Sequence, residues 1–247
     1  MSEGIPGGRP PGETEPIPTW LRELAGAAGQ VEIDPRVLPP ASGGRRSAVL
    51  ILFAGGPGGP GDPDLLLIQR SEGLRLHAGQ PAFPGGAIDA SDSGPVAAAL
   101  REAAEEVGVD PAGVEVVGTW PELFIPPTGF RVVPVLAWWR QPCAVAPVDA
   151  AEVAAVERVS VSELADPAAR GMVRVRDGRT TPAFRVRGML VWGFTAVLID
   201  RLLALAGWEQ PWDTATVMDL GSPLGGPGST GNAIRLGSCA EMYSISS

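Results

Sequence analysis

Three glutamates, Glu102, Glu105 and Glu106, stand close together in the middle of the chain. On a helix they are neighbours at three and four residues, with Cβ atoms about 5–6 Å apart, so their charges repel one another. They also fall in the last two turns, where the helix dipole disfavours negative charge. A divalent cation among the carboxylates would relieve both costs, and hard oxygen ligands suit Mg²⁺ or Mn²⁺. The alternative is an ordinary solvated face of an alanine-rich helix.

The element that must carry these glutamates is a helix over 95–107. Pro95 fits the first turn, where its missing N–H costs nothing, and Gly108 fits a left-handed C-cap. Apolar residues recur between them at helical spacing and predict one buried stripe: Val96, Leu100, Ala103, Ala104 and Val107. The glutamates then project from the opposite side.

The stretch around this helix resembles the signature box of the Nudix hydrolases. Gly85-Gly86, Asp92 and the run 101–109 (REAAEEVGV) match its glycine, its first acidic position and its arginine-glutamate core. Two departures are visible, because Asp92 replaces a glutamate and eight residues rather than seven separate it from Arg101. The resemblance implies a diphosphate hydrolase that uses Mg²⁺ or Mn²⁺ held by Glu102, Glu105 and Glu106. The changed spacing leaves the role of Asp92 open.

A second stretch, 66–86 (LLIQRSEGLRLHAGQPAFPGG), is similar to the motif of the coenzyme A pyrophosphatase branch of that family. Only Ile68 departs from it, where the motif has threonine. That branch tends to share the longer spacing noted above. The resemblance implies coenzyme A or its derivatives as substrate, with 3′,5′-ADP and 4′-phosphopantetheine as products.

Individual residues follow as candidates for substrate contact and catalysis. Arg70 and Arg75 are expected to grip phosphate oxygens, since guanidinium groups do so in bidentate fashion; the alternative is an ion pair with Asp89 or Asp92. Gly85 and Gly86 permit close approaches that side chains would block. Glu105 and Glu152 are the candidates for the general base, because many Nudix proteins have a glutamate before the corresponding strand that reaches the metal site.

The fold class predicted is mixed α/β, and the resemblance implies a mixed β-sheet sandwiched between helices. Strands are expected over 47–54, 64–70, 114–120 and 130–139, with a loop over 55–63 and one apolar helix over 189–206. We expect a disordered segment over 1–17, a Nudix domain over 18–212 and a disordered Gly/Ser-rich tail over 213–247.

The net charge and the hydrophobic pattern limit the classes of partner that this chain is expected to bind. The net charge of −9, with arginine as the only strongly basic residue, argues against nucleic-acid binding. No leader-like or membrane-spanning run is found, so a cytoplasmic protein is expected. The partner is a small nucleotide substrate, and a homodimer is left open. The alternatives are hydrolysis of ADP-ribose, NADH or a nucleoside triphosphate, and a nucleotide-sensing module without turnover.

Overall fold

A computed structural model describes residues 16–27, 39–40, 43–56, 59–74, 77–126, 128–175 and 178–220. Its helices are α1 (Thr19–Gly26), α2 (Pro95–Val107), α3 (Val161–Ala165) and α4 (Gly193–Leu205). Its strands are β1 (Arg45–Gly56), β2 (Gly59–Arg70), β3 (Pro81–Ala82), β4 (Gly85–Ala87), β5 (Val114–Thr119), β6 (Leu123–Ile125), β7 (Phe130–Trp139), β8 (Val153–Ser160), β9 (Arg170–Arg174), β10 (Thr180–Val186), β11 (Met189–Val191) and β12 (Val217–Met218).

The larger of two sheets is mixed, as predicted. Its central path runs β3-β2-β1-β7-β5, with β1 and β7 parallel and the other neighbours antiparallel. Strand β8 pairs with β2, β6 with β7, and the short β4 with the first half of β1. The second sheet has the order β11-β10-β9-β12.

Helices cover both faces of the larger sheet. The even-numbered side chains of β1 pack under α2 in one apolar cluster, and the odd-numbered ones face α1, α4 and the second sheet in another. Successive residues of a strand therefore alternate between the core under α2 and the core on the opposite face of the sheet. In the part of the chain described here, no helix is long and apolar enough to cross a membrane.

The glycine- and proline-rich stretch 55–63, expected to be a loop, instead extends the first two strands. Gly55 pairs with Pro63 and Gly56 with Gly59, with a register shift between the two pairs. The prediction was wrong there because hairpin pairing overrides weak local strand preference. The register shift between Gly55 and Gly56 is the effect of the glycines and prolines on this pairing.

The apolar run 189–206, expected to be one helix, is a strand followed by a helix. Gly188 has φ 77°, so the chain turns there and Met189 pairs back with Val186 in β11. Gly193, with φ 65°, then opens α4. A continuous apolar run does not distinguish a buried strand from a buried helix, and this one contains both.

The C-terminal segment is joined to the second sheet beyond the expected domain boundary at 212. Strand β12 pairs in parallel with β9, and Trp208 stacks edge-on against Trp20 at 4.8 Å between ring centroids. The fold therefore extends at least to Met218. Residues 1–15 and 221–247, which include most of the two expected disordered segments, lie outside the described residues.

Candidate active site

Helix α2 has the bounds that its sequence predicts. Pro95 is its first residue, and Gly108 caps it at φ 75° with its N–H directed to Ala104 and Ala103 carbonyls. The side that meets the sheet is lined by small residues, which let the helix axis approach the strands closely: Ala98, Ala99 and Ala103, with Val107 at the end.

The three glutamates do not share one solvated face, which corrects the expectation that all three project away from the buried stripe. The Glu106 side chain is 6% exposed, Glu102 is half-buried at 19%, and Glu105 is 60% exposed. The carboxylates are therefore graded from the protein interior to solvent. Each has different partners.

The Gly85-Gly86 pair brings two of these carboxylates to the sheet. The N–H of Gly85 donates to Glu106 Oε2 at 3.0 Å. A Cβ built at Gly86 would lie 2.4 Å from the Glu102 carboxyl carbon, and one at Gly85 would lie 2.3 Å from the Ala48 carbonyl oxygen. Any side chain at either position would displace the strand or the carboxylate. Glycine is needed at Gly85, where the clash is with backbone, whereas a side chain at Gly86 would force the Glu102 carboxylate to move.

Glu106 is a buried acid with a modest counter-charge. Arg70, the last residue of β2, places Nη1 3.4 Å from Glu106 Oε1. Burial is the main reason that the pKa of Glu106 is raised to about 7. The Gly85 N–H and Arg70 oppose this rise, and the charges of Glu102 and Glu152 add to it. Arg70 thus pairs with a carboxylate, as the alternative to phosphate contact expected, but the partner is Glu106 rather than Asp89 or Asp92. Its contact with a phosphate stays a prediction.

Arg101 is the organising residue of the site, and the sequence reading did not assign it a role. Its guanidinium donates to Asp92 through Nε at 3.1 Å and Nη2 at 3.0 Å, and to the Ala87 carbonyl oxygen at 3.1 Å. Its Nη1 donates to Glu102 Oε1 at 3.0 Å and Glu105 Oε2 at 2.9 Å. One side chain therefore ties the loop before α2, strand β4 and two glutamates together.

These contacts have electrostatic consequences. The hydrogen bonds that Arg101 donates hold the pKa of Asp92 below its ordinary value, and the acceptance of these bonds by Asp92 and the glutamates raises the pKa of Arg101. Burial raises the pKa of Glu102, an effect that Arg101 opposes. Asp92 is therefore an ionised partner of Arg101, which gives it a structural place despite the changed spacing.

The segment that follows β7 places the backbone of Glu152 beside the end of β2. Val148 N–H donates to the Glu106 carbonyl oxygen at 3.0 Å, which fixes this segment to the end of α2. An aspartate turn follows, in which Asp149 Oδ1 accepts from the Ala151 N–H at 2.8 Å. The Glu152 carbonyl oxygen then accepts from the Ser71 N–H at 2.9 Å. The Glu152 side chain is exposed, and its charge acts on the pKa of Glu106.

Arg75, the second expected phosphate ligand, lies outside the described residues. The neighbouring part of its loop is held by hydrogen bonds between His77 Nδ1 and Gln80 Oε1 at 2.9 Å and from the Gly79 N–H to the Ser71 carbonyl oxygen at 3.3 Å. Four of the expected site residues come together where the end of α2 meets β2 and β4: Arg70, Gly85, Gly86 and Glu106. Glu102 and Glu105 lie on the adjoining turn of α2.

The donors present suit a hard divalent cation. Glu102, Glu105 and Glu106 offer only carboxylate oxygens, and the space that a Cβ at Gly86 would fill is kept for the Glu102 carboxylate. Within the described ranges, no three acidic, histidine or cysteine side chains converge as a ready-made metal cluster. Arg101 instead bonds two of the glutamates, so each of these carboxylates could bind an ion only while also accepting from Arg101.

A separate depression of about 460 Å³ lies between α1 and β5. Its lining includes Arg22 and the strand residues 116–119 but none of the site glutamates. Because α1 packs on the face of the sheet opposite α2, this depression is remote from the glutamates.

Comparison with known proteins identifies a family for this arrangement. The model of the NUDIX domain matches residues 44–183, which is more than half of the chain. The uncharacterized Nudix hydrolase NudL of Citrobacter koseri is 60% identical over 74 residues, which make up 30% of this chain and 38% of the relative. Its counterpart in Escherichia coli K12 is 52% identical over 92 residues, 37% of this chain and 45% of the relative. The chain thus spans less than half the length of these curated relatives.

Solved structures of the same family are also similar. The Nudix hydrolase RenU of M. smegmatis is 30% identical, with a TM-score of 0.42, over 51% of this chain and 76% of that protein. The NUDIX domain of Shewanella oneidensis NrtR, solved with ADP ribose, is 22% identical with a TM-score of 0.39, over 55% and 83% of the respective chains.

Proposed function

Since the chain belongs to the Nudix hydrolase family, we propose that it hydrolyses the diphosphate of coenzyme A or its derivatives to 3′,5′-ADP and 4′-phosphopantetheine (or its acylated form). The observation that carries this proposal is the course of the 66–86 motif. It leaves β2 at Arg70 and returns at Gly85-Gly86, so that both ends of the motif touch Glu106. A motif resembling that of the coenzyme A branch is thus built into the glutamate site.

The carboxylates of the site suit a diphosphate if they hold a divalent cation. Nudix hydrolases generally use divalent metals, and Glu102, Glu105 and Glu106 would hold the ion here. Such an ion would neutralise diphosphate oxygens and lower the pKa of a nearby water. Mg²⁺ and Mn²⁺ both accept this all-oxygen set of ligands.

The protein's own residues have separable tasks in this proposal. Arg101 fixes the directions of the Glu102 and Glu105 carboxylates, while Asp92 and the Ala87 carbonyl hold Arg101. Arg70 faces Glu106 with its guanidinium and is 26% exposed, so it is open to a phosphate oxygen as well. The glycine pair keeps the strand close to both carboxylates.

Hydrolysis also needs a group that takes the proton of the attacking water. Glu105 and Glu152, the two candidates that the sequence offers for this task, both carry exposed carboxylates. One oxygen of Glu105 accepts from Arg101 at 2.9 Å. Glu152 has no such bond among the described residues, and its charge already acts on Glu106. We therefore assign proton acceptance to Glu152 and the support of the ion to Glu105.

Product analysis tests the function. The full chain is incubated with Mg²⁺ and, separately, coenzyme A, ADP-ribose and NADH, and the products are separated by anion exchange. We expect 3′,5′-ADP from coenzyme A at the highest kcat/KM. Faster hydrolysis of ADP-ribose or NADH would overturn the substrate while leaving the Nudix chemistry in place.

A further inference from the structure

Two arginines, Arg46 on β1 and Arg131 on β7, lie near the glutamate cradle, which is the Gly85-Gly86 pair with the Glu102 and Glu106 carboxylates. They lie on the same face of the sheet. Ser47 pairs with Ala87 and Ala48 with Gly86, so Ala48 lies beside the glycine that cradles Glu102. Arg46 is the next residue of β1 on that face, two positions away, which in a strand is about 6.6 Å. The carbonyl oxygen of Arg46 accepts from the Ile88 N–H at 3.0 Å, so Arg46 is hydrogen-bonded to the residue that follows β4.

Arg131 lies directly beside Arg46 on the parallel strand β7. Both guanidinium groups face a single carboxylate, that of Glu122. Arg131 holds it through Nε at 2.9 Å and Nη2 at 2.5 Å, whereas Arg46 Nε lies 3.6 Å away and the Arg46 side chain is 57% exposed. One carboxylate cannot neutralise two guanidinium groups, so the cluster keeps one net positive charge in a chain of formal charge −9.

We propose that Arg46 and Arg131 form a binding site for a phosphate monoester of the substrate, separate from the diphosphate that the glutamates address. This rests on the proposed function and names the group that it would recognise, the 3′-phosphate on the ribose of the nucleotide half. The strand spacing between Arg46 and the cradle is on the scale of one sugar ring with a phosphate at each end. Arg70 lies at Glu106, so in this proposal it serves the diphosphate and not the 3′-phosphate.

The chemistry favours Arg46 as the residue that engages the phosphate. An exposed ion pair at 3.6 Å is worth little, so Arg46 can exchange Glu122 for a dianionic phosphate at small cost. Arg131 supplies fixed positive charge, since its fork is already held by Glu122 and its Nη1 donates to the Gly43 carbonyl oxygen at 3.4 Å. A guanidinium–phosphate contact is a charge-assisted hydrogen bond, which corresponds to roughly ten-fold in affinity or more.

The chain contains a matched control in the preceding residue. Arg45 carries the same charge on the same strand, but it lies on the opposite face, where its guanidinium sits 5.1 Å from the centre of the Phe130 ring. Removing Arg45 changes the net charge of the protein as much as removing Arg46 does. Only a contact on the glutamate face distinguishes the two variants.

The experiment measures binding of the product 3′,5′-ADP and of 5′-AMP by calorimetry with Mg²⁺ present, for the wild type, Arg46→Ala and Arg45→Ala. We expect the wild type to bind 3′,5′-ADP roughly ten-fold or more tightly than 5′-AMP. Arg46→Ala should bring this ratio near unity, and Arg45→Ala should keep it. Glu122→Gln, which leaves Arg46 without its competing carboxylate, should raise the affinity for 3′,5′-ADP.

An unchanged ratio in folded Arg46→Ala would overturn the site, as would an equal loss in Arg45→Ala, which would show only diffuse attraction. The two hypotheses fail separately. If ADP-ribose or NADH proves the better substrate while the 3′-phosphate increment still depends on Arg46, the proposed function falls and this site stands. If coenzyme A is hydrolysed without that dependence, the reverse holds.

Discussion

The Arg101 guanidinium holds the Asp92 carboxylate with two hydrogen bonds, Nε to Oδ1 at 3.1 Å and Nη2 to Oδ2 at 3.0 Å. The same Asp92 Oδ2 accepts the Asp89 N–H at 2.8 Å, so it closes the loop that leads into α2. Asp92 is shorter than the glutamate of the family pattern, and one additional residue separates it from Arg101. It nevertheless forms a bidentate pair with that arginine. The loop and the orienting arginine are fixed by one carboxylate.

Replacing Asp92 by Ala should therefore disturb the glutamates without removing one of them. We expect kcat/KM to fall about ten-fold or more, as it does when residues that orient the ligands of an ion are lost. The matched control is Asp89→Ala, because Asp89 lies 3.7 Å from Arg101 but is 62% exposed. Steady-state kinetics at saturating Mg²⁺ compares the two, and equal activity of both variants would contradict the role of Asp92.

The buried carboxylate should be the most sensitive position. Glu106→Gln keeps the side-chain shape but removes the charge that meets Arg70 and would help to hold the ion, and we expect kcat to fall by at least about 10²-fold. Glu23→Gln, on the exposed side of α1, is the control for a lost glutamate elsewhere. Circular dichroism verifies folding. Near-normal turnover by folded Glu106→Gln would exclude this residue from the site.

The raised pKa of Glu106 predicts a pH dependence of stability in the metal-free protein. Between the ordinary value of 4.5 and about 7, the folded chain keeps a proton on Glu106 that the unfolded chain releases. Linkage then makes the free energy of unfolding fall as pH rises through this window, by on the order of 3 kcal/mol at most. Below the window this contribution is fully present, and above about 7 it is lost.

Urea unfolding in EDTA at several pH values between 4.5 and 8 measures this effect. The wild type should lose stability across the window relative to Glu106→Gln, since glutamine does not titrate. The other groups cancel in the difference between the two proteins. A difference that stays constant with pH would show that burial does not raise the Glu106 pKa.

Helix α2 could be predicted from the sequence because its signals are local. Pro95 and Gly108 mark its ends through backbone geometry alone, and the structure confirms both. A close approach at Gly85-Gly86 is likewise predicted, because glycine permits approaches that side chains block. The ends of α2 depend on residues adjacent in the chain, whereas the groups that the glycine pair approaches, Ala48 and Glu102, are distant in it.

The exposure of each glutamate could not be predicted in the same way. Glu106 is buried because Gly85 and Arg70 reach it from β4 and β2, which are 21 and 36 residues distant. The bonds of Arg101 to Ala87 and Asp92 also depend on how the loop folds back. Helical periodicity predicts on which side of a helix a residue lies, but not which strand packs against that side.

The C-terminal segment should be part of the stable fold up to Leu220. Buried Arg170 bonds Asp200 at 2.5 Å and Glu209 at 3.2 Å, and its guanidinium lies 4.6 Å from the centre of the Trp212 ring. A chain ending at Ala206 loses Trp208, Glu209 and β12, and leaves part of the charge on Arg170 uncompensated. Loss of one large aromatic contact typically costs about 3–5 kcal/mol.

Two truncations test this boundary by urea unfolding. A chain ending at Leu220 retains all of these contacts and should match the full chain, whereas one ending at Ala206 should be severely destabilised. Arg170→Met separates the charge from the rest of the segment. A stable chain ending at Ala206 would show that β12 and Trp208 contribute little.

The final prediction concerns the proton acceptor, for which Glu105 and Glu152 compete. Glu152 stands on a loop fixed by the Ser71 N–H and the Asp149 turn, and its carboxylate is free of the Arg101 bond that engages Glu105. Glu152→Gln should therefore lower kcat by about 10²–10⁴-fold while KM and the affinity for Mg²⁺ change little. Glu105→Gln should instead weaken Mg²⁺ activation, seen as a higher Mg²⁺ concentration at half-maximal rate. Glu157→Gln, a half-buried position further along β8, controls for charge on that strand. If Glu105→Gln loses kcat at saturating Mg²⁺ and Glu152→Gln does not, the two roles are exchanged, and the bond from Arg101 positions the base rather than a ligand of the ion.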